Sequence, residues 1–471
     1  MNIEQIYTGC LAEAAYYIES NGEAAIIDPL REVGPYLKRA AKDNAKIKYI
    51  FETHFHADFV SGHIDLAEKS GAAIVYGPTA QTSFAAHIAK DAEVFHVGAL
   101  TITALHTPGH TPESTTYLLK NESGKDYCIF SGDTLFIGDV GRPDLAQKGS
   151  LTMEDMAGTL YESLHNKILP LADDVLVYPA HGAGSACGKN MSKETFDTLG
   201  HQKEVNYALK AKDKGQFVKE VTDGILPPPA YFAQNAAMNK NGYESFDDVY
   251  EKGSKPLSPA DFEAVANLSG ALILDTRDPQ VFAKGFIPSS VNIGLNGQFA
   301  PWVGALVADL KQPLLLICEA GKEEEAITRL ARVGYDNTIG YLSGGIAAWT
   351  EDGRELDTIR SISAQEFEEV LNANTAVNAL DVRKPGEYEA EHLEQTLTRP
   401  LDYINEWTNE IDHHGTYYIH CAGGYRSMIA ASILKARGVE NVVDIAGGYG
   451  AIKATGLKRT DFACPSKAMS R

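Results

Sequence analysis

The chain has 471 residues, of which 44% are hydrophobic, 9% aromatic and 22% charged, and its formal net charge is −21. Such a composition is typical of globular proteins, and the length predicts about three domains. The acidic balance argues against a nucleic-acid partner, no apolar run is long enough to span a membrane, and six widely spaced cysteines without a CxxC pair favour reduced thiols.

The first half of the chain is predicted to alternate strands and helices. Residues 1–5 lack the basic and apolar regions of a secretory signal, so we expect a cytoplasmic protein. Four short apolar segments, 24–28, 47–51, 127–130 and 174–178, are predicted to be buried strands, and each leads into a polar loop. Chemistry at the ends of short buried strands is typical of layered α/β enzymes.

The clearest chemical pattern in the sequence is a set of histidines and aspartates that follow these predicted strands. The segment THFHAD at positions 53–58 supplies His54, His56 and Asp58, and its alternation can direct all three side chains to one side of a loop. His110, Asp133 and His181 occur later, each in a loop or glycine-containing turn. Imidazoles and carboxylates are ligands for first-row transition metals, so the pattern predicts a metal site.

This set of motifs resembles the metallo-β-lactamase superfamily over residues 1–250. The resemblance implies an αββα sandwich, in which two sheets pack together and helices cover their outer faces. Members with two metals have a further histidine directly after the aspartate of HxHxD, but this chain has Phe59 there. His63, one helical turn later, is the alternative donor for that position, and we expect a single metal ion instead.

The segments 54–62 and 138–144 resemble the persulfide dioxygenases of this superfamily. The resemblance implies one Fe(II) per chain, with His54, His110 and Asp133 as its ligands; zinc is the alternative metal. His56, Asp58 and His181 would then support the ligands or bound water. Spacing by itself does not separate these two roles.

Three further residues near these motifs are candidates for substrate binding. Cys187 lies six positions after His181, so it is either an ordinary cysteine or a thiol that exchanges sulfur near the iron. Arg142 and Lys189 are candidates for the positive charge that an anionic thiol carrier needs. After these motifs the pattern of elements breaks at Pro227–Pro229, and residues 227–256 are predicted to be a loop-rich boundary.

The second half of the chain contains an internal repeat. The segments 272–277, 315–318 and 343–346 recur as 379–383, 418–421 and 446–449, at a near-constant spacing of roughly 100 residues. We therefore predict two copies of one small α/β domain, at 257–355 and 358–465.

The second copy contains a cysteine loop, CAGGYRS at positions 421–427, between a predicted strand and a predicted helix. Amide groups at a helix N-terminus and Arg426 can together stabilise a thiolate or hold an anion near the sulfur. The loop resembles the active-site loop of rhodaneses, and 381–383, 387–388 and the late Gly-Gly pair support this. The resemblance implies that Cys421 is a nucleophile that carries sulfur as a persulfide.

The first copy departs from this pattern. Its loop at Cys318 has Glu323 at the position that Arg426 occupies in the second copy, and the surrounding carboxylates disfavour a thiolate. We interpret 257–355 as a catalytically degenerate copy, kept for packing or for linking the other two domains. Lys322 could partly compensate for the acidic residues.

The resemblances together imply a bifunctional sulfur enzyme with a role in sulfide detoxification. Its iron site would oxidise a low-molecular-weight thiol persulfide with O₂ to thiol and sulfite, and Cys421 would convert persulfide sulfur and sulfite to thiosulfate. A glyoxalase II-like zinc thioesterase fused to a sulfurtransferase is the alternative. A third hypothesis makes the rhodanese-like pair a non-enzymatic sulfur-carrier or docking module. The carrier thiol stays open among glutathione, coenzyme A and bacillithiol, and we expect a homo-oligomer, either a dimer or a tetramer.

Overall fold

The computed structural model describes residues 1–145, 151–373 and 377–462. The chain divides into two compact units. The first contains residues 1–246 and 331–334, and the second contains residues 247–330 and the described residues from 335 onward. Cys464 and the end of the predicted range 358–465 lie outside the described residues.

The first unit is built from two sheets and the helices beside them. Its strands are β1 (Asn2–Thr8), β2 (Glu13–Ser20), β3 (Glu23–Ile27), β4 (Lys46–Phe51), β5 (Ala73–Tyr76), β6 (His87–Ile88), β7 (Val94–Val97), β8 (Leu100–His106), β9 (Thr115–Lys120), β10 (Asp126–Gly132), β11 (Leu176–Pro179) and β12 (Asp197–Thr198). Its helices are α1 (Gly34–Lys42), α2 (His63–Ser70), α3 (Met153–Ser163), α4 (Leu199–Val205), α5 (Lys214–Thr222) and α6 (Phe232–Asn241), and a π-helical turn at Leu164–Ile168 follows α3.

These strands form two six-stranded sheets, in the orders β1-β2-β3-β4-β5-β6 and β12-β11-β10-β9-β8-β7. Strand β2 shows why both faces of the first sheet are apolar. Its Tyr16 and Ile18 pack into the core between the sheets, while the alternating Ala15 and Tyr17 pack against the layer that includes α1 and α2. The second sheet is covered in the same way by α3 and α5, through residues such as Leu160. The αββα sandwich is therefore confirmed.

The layout of the strands places the predicted functional loops at matching sheet ends. Strands β3 and β4 are parallel, and so are β10 and β11. Asp28 and the segment 53–58 therefore follow neighbouring strands of one sheet, while Asp133 and His181 follow neighbouring strands of the other. This arrangement gathers the polar side chains at one edge of the sandwich.

The second unit contains two small α/β domains. Its strands are β13 (Pro256–Leu257), β14 (Leu272–Asp275), β15 (Val291–Asn292), β16 (Leu314–Ile317), β17 (Thr338–Leu342), β18 (Arg360–Ile362), β19 (Asn378–Asp381), β20 (Leu397–Thr398), β21 (Thr416–His420) and β22 (Asn441–Ile445). Its helices are α7 (Phe246–Gly253), α8 (Pro259–Ser269), α9 (Pro279–Ala283), α10 (Phe299–Leu306), α11 (Glu323–Arg332), α12 (Gly345–Glu351), α13 (Ala364–Ala373), α14 (Pro385–Ala390), α15 (Ile404–Trp407), α16 (Tyr425–Ala436) and α17 (Gly448–Ile452). Short 3₁₀ turns occupy Leu401–Tyr403 and Thr408–Glu410.

The two domains repeat one topology. Their parallel sheets have the orders β13-β17-β16-β14-β15 and β18-β22-β21-β19-β20, so each strand of the first copy has its counterpart at the same place in the second. Both cysteine loops follow the central strand of their sheet, β16 or β21. The sequence repeat thus corresponds to a repeat of structure.

The prediction of a loop-rich boundary at 227–256 is wrong, because helices α6 and α7 occupy much of it. The buried face of α6 carries Phe232, Asn235 and Asn239, so two of its three inward positions are amides. Asn239 donates hydrogen bonds to the carbonyl oxygens of His56 and Phe59, at 2.8 Å each. A helix that buries amides shows no apolar period in the sequence.

Among the described residues, no helix is both long and apolar enough to cross a lipid bilayer.

Candidate metal centre and sulfur-transfer loop

The loop after β4 is held in place by Asp28 from the end of β3. Asp28 accepts hydrogen bonds from the backbone N–H of Thr53 and from its hydroxyl group, at 2.8 Å each. Because the Thr53 hydroxyl donates to Asp28, its oxygen accepts from Nδ1 of His54, 3.0 Å away. This relay protonates Nδ1 of His54 and directs its Nε2 lone pair away from the relay.

His54, His110 and Asp133 are brought together by the fold, although they lie in three separate loops. Their ligand atoms lie within 4.8 Å of one another, and all three residues are buried. Nε2 of His110 lies 3.4 Å and Nε2 of His54 lies 3.8 Å from the same Asp133 oxygen. Two imidazoles and one carboxylate on one side of a site are a donor set that holds a mononuclear first-row metal.

The free atoms of this cluster fit a metal ion. Nδ1 of His110 hydrogen-bonds to the carbonyl oxygen of Arg142 at 2.9 Å, which leaves Nε2 as the donor atom. Within the described chain, Nε2 of His54 and both carboxylate oxygens of Asp133 are buried without a hydrogen-bond partner. Burial and the neighbouring histidines also keep the pKa of His54 well below its usual range, so its imidazole is neutral as a ligand must be.

A second group of donors adjoins the first. Nε2 of His181 lies 3.4 Å from Oδ2 of Asp58 and 3.6 Å from Oδ1 of Asp133, while its Nδ1 faces the carbonyl oxygen of Ala12 at 3.3 Å. His56 completes the group formed by Asp58 and His181. Both predicted sets of residues therefore lie at one site, with Asp133 next to each.

His56 also faces a pair of buried carboxylates on its other side. Its Nε2 lies 3.0 Å from Asp28 and 3.6 Å from Glu52. Burial alone would lower the pKa of His56, but Asp28, Glu52 and Asp58 together raise it to about 9. The sequence interpretation missed Glu52 and the role of Asp28; the available signal was that each acidic residue directly follows an apolar strand.

Phe59 and His63 show why the site lacks a complete second set of histidines. Phe59 is fully buried, and its ring packs on that of His56 with 4.3 Å between the centroids. His63 starts helix α2, where its Nδ1 faces Glu52 at 3.6 Å, and its ring contacts Tyr76. His63 is absent from the donor groups that contain Asp58, so it does not replace the missing histidine.

Cys187 lies at the metal-site cluster. Its sulfur belongs to a buried group with Asp133 and His181, whose ligand atoms lie within 4.8 Å of one another. Burial, with added repulsion from Asp58 and Asp133, raises the pKa of this thiol well above its usual range. In the absence of a bound cation, Cys187 is therefore protonated at neutral pH.

Arg142 and Lys189 do not offer free positive charge. The guanidinium of Arg142 donates to both carboxylate oxygens of Asp144 at 2.7 Å and to the carbonyl oxygens of Ala186 and Leu226. The ammonium of Lys189 donates to two carbonyl oxygens at the end of α5, at 2.6 and 2.8 Å. Both side chains tie loops to the sandwich, which disfavours the predicted role in binding an anionic substrate.

The Cys421 loop closes around its sulfur at the start of α16. The backbone N–H of Gly424 donates to Sγ of Cys421 at 3.1 Å, and the hydroxyl of Ser427 lies 3.7 Å from the same sulfur. Gly448 packs against the loop so closely that a Cβ atom would lie 2.4 Å from the Cys421 carbonyl oxygen. The Gly424 N–H thus donates to the sulfur, as it would to a thiolate, whereas the Ser427 oxygen accepts from the thiol.

Arg426 lies beside this loop and is held by Glu387. Its two terminal nitrogens bond both carboxylate oxygens of Glu387, at 2.6 and 2.9 Å. This fork–fork pair orients the guanidinium and leaves its net field partly neutralised. The Ser427 hydroxyl donates to Asp444 at 2.7 Å, and no pattern in the sequence indicated this contact.

The Cys318 loop has different electrostatics. Burial first, and Glu323 next, raise the pKa of Cys318 to about 12. Helix α11 begins with Glu323, Glu324 and Glu325, so carboxylates occupy the helix N-terminus that faces this loop. These charges disfavour a thiolate at Cys318, and the catalytic degeneracy of this copy stays an interpretation.

Comparison with known proteins places these sites in two families. The Metallo-beta-lactamase superfamily matches residues 8–181, and the Rhodanese-like domain matches residues 258–352 and 363–455. A probable hydroxyacylglutathione hydrolase of Schizosaccharomyces pombe is 30% identical over 181 residues, which are 37% of this chain and 66% of that protein. The human mitochondrial persulfide dioxygenase ETHE1 is 31% identical over 209 residues, 44% of this chain and 74% of that protein.

A solved structure covers a larger part of the chain. The crystal structure of a metallo-beta-lactamase from Staphylococcus aureus is 30% identical, with a TM-score of 0.64, and the match covers 73% of this chain and 98% of that one. Sequence and fold thus agree over the sandwich and beyond it. The chain belongs to the metallo-beta-lactamase superfamily and joins its metallo-beta-lactamase domain to two rhodanese-like domains.

Proposed function

We propose that the chain is an iron-dependent persulfide dioxygenase joined to a sulfurtransferase. The observation that carries the first activity is the mononuclear donor set of His54, His110 and Asp133, beside which Phe59 replaces a further histidine. The relative named persulfide dioxygenase aligns over 74% of its length, which supports the same activity. The proposed domains are 1–250, 257–355 and 358–465.

The first reaction is RSSH + O₂ + H₂O → RSH + SO₃²⁻ + 2H⁺. The sulfane sulfur loses four electrons and O₂ gains them. Bound Fe(II) would supply the redox chemistry and hold both reactants near each other. In this chain, Nε2 of His181 and Asp58, 3.4 Å apart, are placed to receive the protons that water and the persulfide release.

The second reaction uses Cys421. Once this residue carries sulfane sulfur, sulfite attacks the outer sulfur, the S–S bond breaks, and the Cys421 thiolate leaves as thiosulfate forms. The Gly424 N–H, 3.1 Å from Sγ, stabilises the thiolate that departs. The rhodanese-like domain supports sulfur transfer, and sulfite from the first reaction is its proposed acceptor.

Metal analysis of anaerobically purified protein tests the first activity. We expect one iron per chain and O₂ uptake that depends on glutathione persulfide. Asp133→Ala should lose both, since it removes the carboxylate that the two histidines face. His87→Ala is the matched control, because this exposed histidine pairs with Glu93. Two zinc ions per chain and no O₂ uptake would contradict the proposal.

A zinc-dependent thioesterase is the second candidate function. The adjoining donors Asp58 and His181 favour it, because a second metal beside Asp133 would use them. The relative from S. pombe is named as a probable hydroxyacylglutathione hydrolase. Cleavage of a hydroxyacylglutathione thioester by the zinc-loaded chain, at a rate that Phe59→His increases, would support this alternative.

A further inference from the structure

The helix that begins at the Cys421 loop packs against the first rhodanese-like copy. Tyr425, the first residue of α16, donates its hydroxyl to the carbonyl oxygen of Gly294 at 2.7 Å. Further along α16, the Ser432 hydroxyl accepts the backbone N–H of Asn292 at 3.0 Å. The degenerate copy therefore contacts the helix that forms one wall of the active-site loop.

The position of the Tyr425 ring depends on a glycine of the first copy. A Cβ atom at Gly297 would lie 2.5 Å from the Cζ atom of Tyr425, closer than atoms can approach. The backbone of Gly297 is not in the left-handed region, so close approach is the reason for glycine here. Any larger residue at position 297 would force the Tyr425 ring to shift.

A second line of contacts runs from the first copy to the sulfur. Nε2 of Gln280 donates to Oδ2 of Asp444 at 3.0 Å. The other oxygen of this buried carboxylate accepts from Ser427, whose hydroxyl oxygen lies 3.7 Å from Sγ of Cys421. Ser361 also donates to Asp444 at 3.0 Å, so the carboxylate is satisfied by three donors, one of which comes from the other copy.

We propose that the first rhodanese-like copy positions the Cys421 loop, with Gln280 acting through Asp444 and Ser427, and Gly294 and Gly297 acting through Tyr425. This inference rests on the proposed role of Cys421 as the sulfur carrier. Gln280 is a positioning residue: it orients Asp444, which fixes the Ser427 hydroxyl beside the sulfur. The Tyr425 contact fixes the start of α16, where the Gly424 N–H meets the same sulfur.

The orientation of the Cys421 side chain should affect the rate of sulfur transfer. Sulfite must approach the outer sulfur along the S–S axis, so the direction of the Cys421 side chain controls the rate. Small displacements of positioned groups lower rates by large factors, even when the altered residue does not touch the reactants. Loss of these contacts should thus lower kcat and leave the KM for sulfite nearly unchanged.

Substitutions at Gln280 test the first contact in the full chain. Thiosulfate formation from glutathione persulfide and sulfite is measured without O₂, so that the proposed oxidation cannot compete. We expect Gln280→Ala to lower kcat about 10-fold and Gln280→Glu to lower it further, because a second carboxylate repels Asp444. Gln312→Ala is the matched control, since the side-chain amide of Gln312 donates to the carbonyl oxygens of Gly270 and Pro313 within the first copy.

Substitutions at the glycines test the second contact. Gly297→Ala should lower kcat and change the pH profile of Cys421 alkylation by iodoacetamide, because the loop amides move away from the sulfur. Gly285→Ala is its control, since a Cβ there meets only the end of the Leu356 side chain, at 3.1 Å. Tyr425→Phe keeps the ring and loses one hydrogen bond, so a smaller decrease in kcat is expected.

The outcomes separate this inference from the proposed function. If Cys421→Ala retains thiosulfate formation, the proposed role of Cys421 fails. If Cys421→Ala is inactive while all variants at Gln280, Gly297 and Tyr425 match the wild type in kcat and alkylation profile, the positioning role is overturned. Activities are divided by the folded fraction from near-UV circular dichroism; a kcat loss that disappears after this correction also overturns it.

Discussion

The two rhodanese-like copies share the same buried charge pair. In the first, Arg277 binds both oxygens of Asp275 and the carbonyl oxygen of Gly285, with distances of 2.6–3.0 Å. In the second, Arg383 binds Asp381 and the carbonyl oxygen of Glu391 with nearly the same distances. This pair connects the end of β14 or β19 to the residues just after the following helix, and it does so whether or not the nearby cysteine loop is suited to chemistry.

The copies differ where the cysteine loop meets a helix. In the first, glutamates fill the N-terminus of α11, and the positive end of the helix is neutralised by these side chains. In the second, the first turn of α16 carries no acidic residue, and the backbone N–H of its N-cap residue, Gly424, donates to Sγ of Cys421. The comparison teaches that the residues that hold this fold and the residues that set the charge around its cysteine are separate sets.

Removal of each cysteine gives the largest expected difference between the copies. Cys421→Ala should decrease anaerobic thiosulfate formation by at least about 10³-fold, because the proposed sulfur carrier is lost. Cys318→Ala should stay within about 2-fold of the wild type, since its thiol has no part in the proposed reaction. A loss of similar size in both variants would contradict the expected difference between the two copies.

Substitution of the shared charge pair should affect both copies alike. Asp381→Asn and Asp275→Asn each leave a buried arginine without its counter-ion, and each should lower the free energy of unfolding by about 3–5 kcal/mol. Urea denaturation followed by circular dichroism measures the change. The exposed Asp352, which pairs with Arg354, is the control, and Asp352→Asn should change the stability by less than about 1 kcal/mol.

Substitution of Arg426 should give a smaller effect than removal of Cys421, and it concerns the position at which the Cys421 loop differs in charge from the Cys318 loop. Arg426→Gln removes the charge beside Cys421 and the two bonds to Glu387, and we expect thiosulfate formation to fall about 10–100-fold. The decrease should appear mainly as a higher KM for sulfite, which is an anion. Arg360→Gln, an exposed residue of β18, should match the wild type.

The smallest expected effect is a change in the rate at which Cys318 is alkylated, measured as a function of pH. With a pKa of about 12, this thiol is a thiolate in only about 1 in 10⁴ molecules at pH 8, and its reaction with iodoacetamide should increase about tenfold per pH unit up to pH 11. Glu323→Gln removes a like charge, lowers the pKa of the thiol, and should increase the rate at pH 8 about 2–5-fold. Peptide mass spectrometry measures the modification, and a rate that is already constant above pH 9 would contradict the assignment.

Parts of this picture were predictable because they are local in sequence. The HxHxD segment and the repeated Asp–x–Arg and Gly-Gly motifs each lie within a single loop or at the end of a single strand. A short stretch of sequence is therefore enough to recognise them. Helix α6 was not predictable, because its inward face carries Asn235 and Asn239, and their amides carry no apolar signal. Arg142 was assigned to substrate from its charge alone, whereas the structure pairs its guanidinium with Asp144.

The sequence by itself determined the buried strands of the sandwich, the repeat of the second half and the residue types that carry chemistry, because apolar periodicity, glycine turns and ligand types depend on near neighbours. Only the tertiary structure decided which donor atoms meet: His54, His110 and Asp133 come from three loops, and two packed sheets bring them to one edge. The contact of Gln280 with Asp444 arose in the same way, since packing between distant segments selects such partners. Those distances depend on how whole layers pack, which no short stretch of residues encodes.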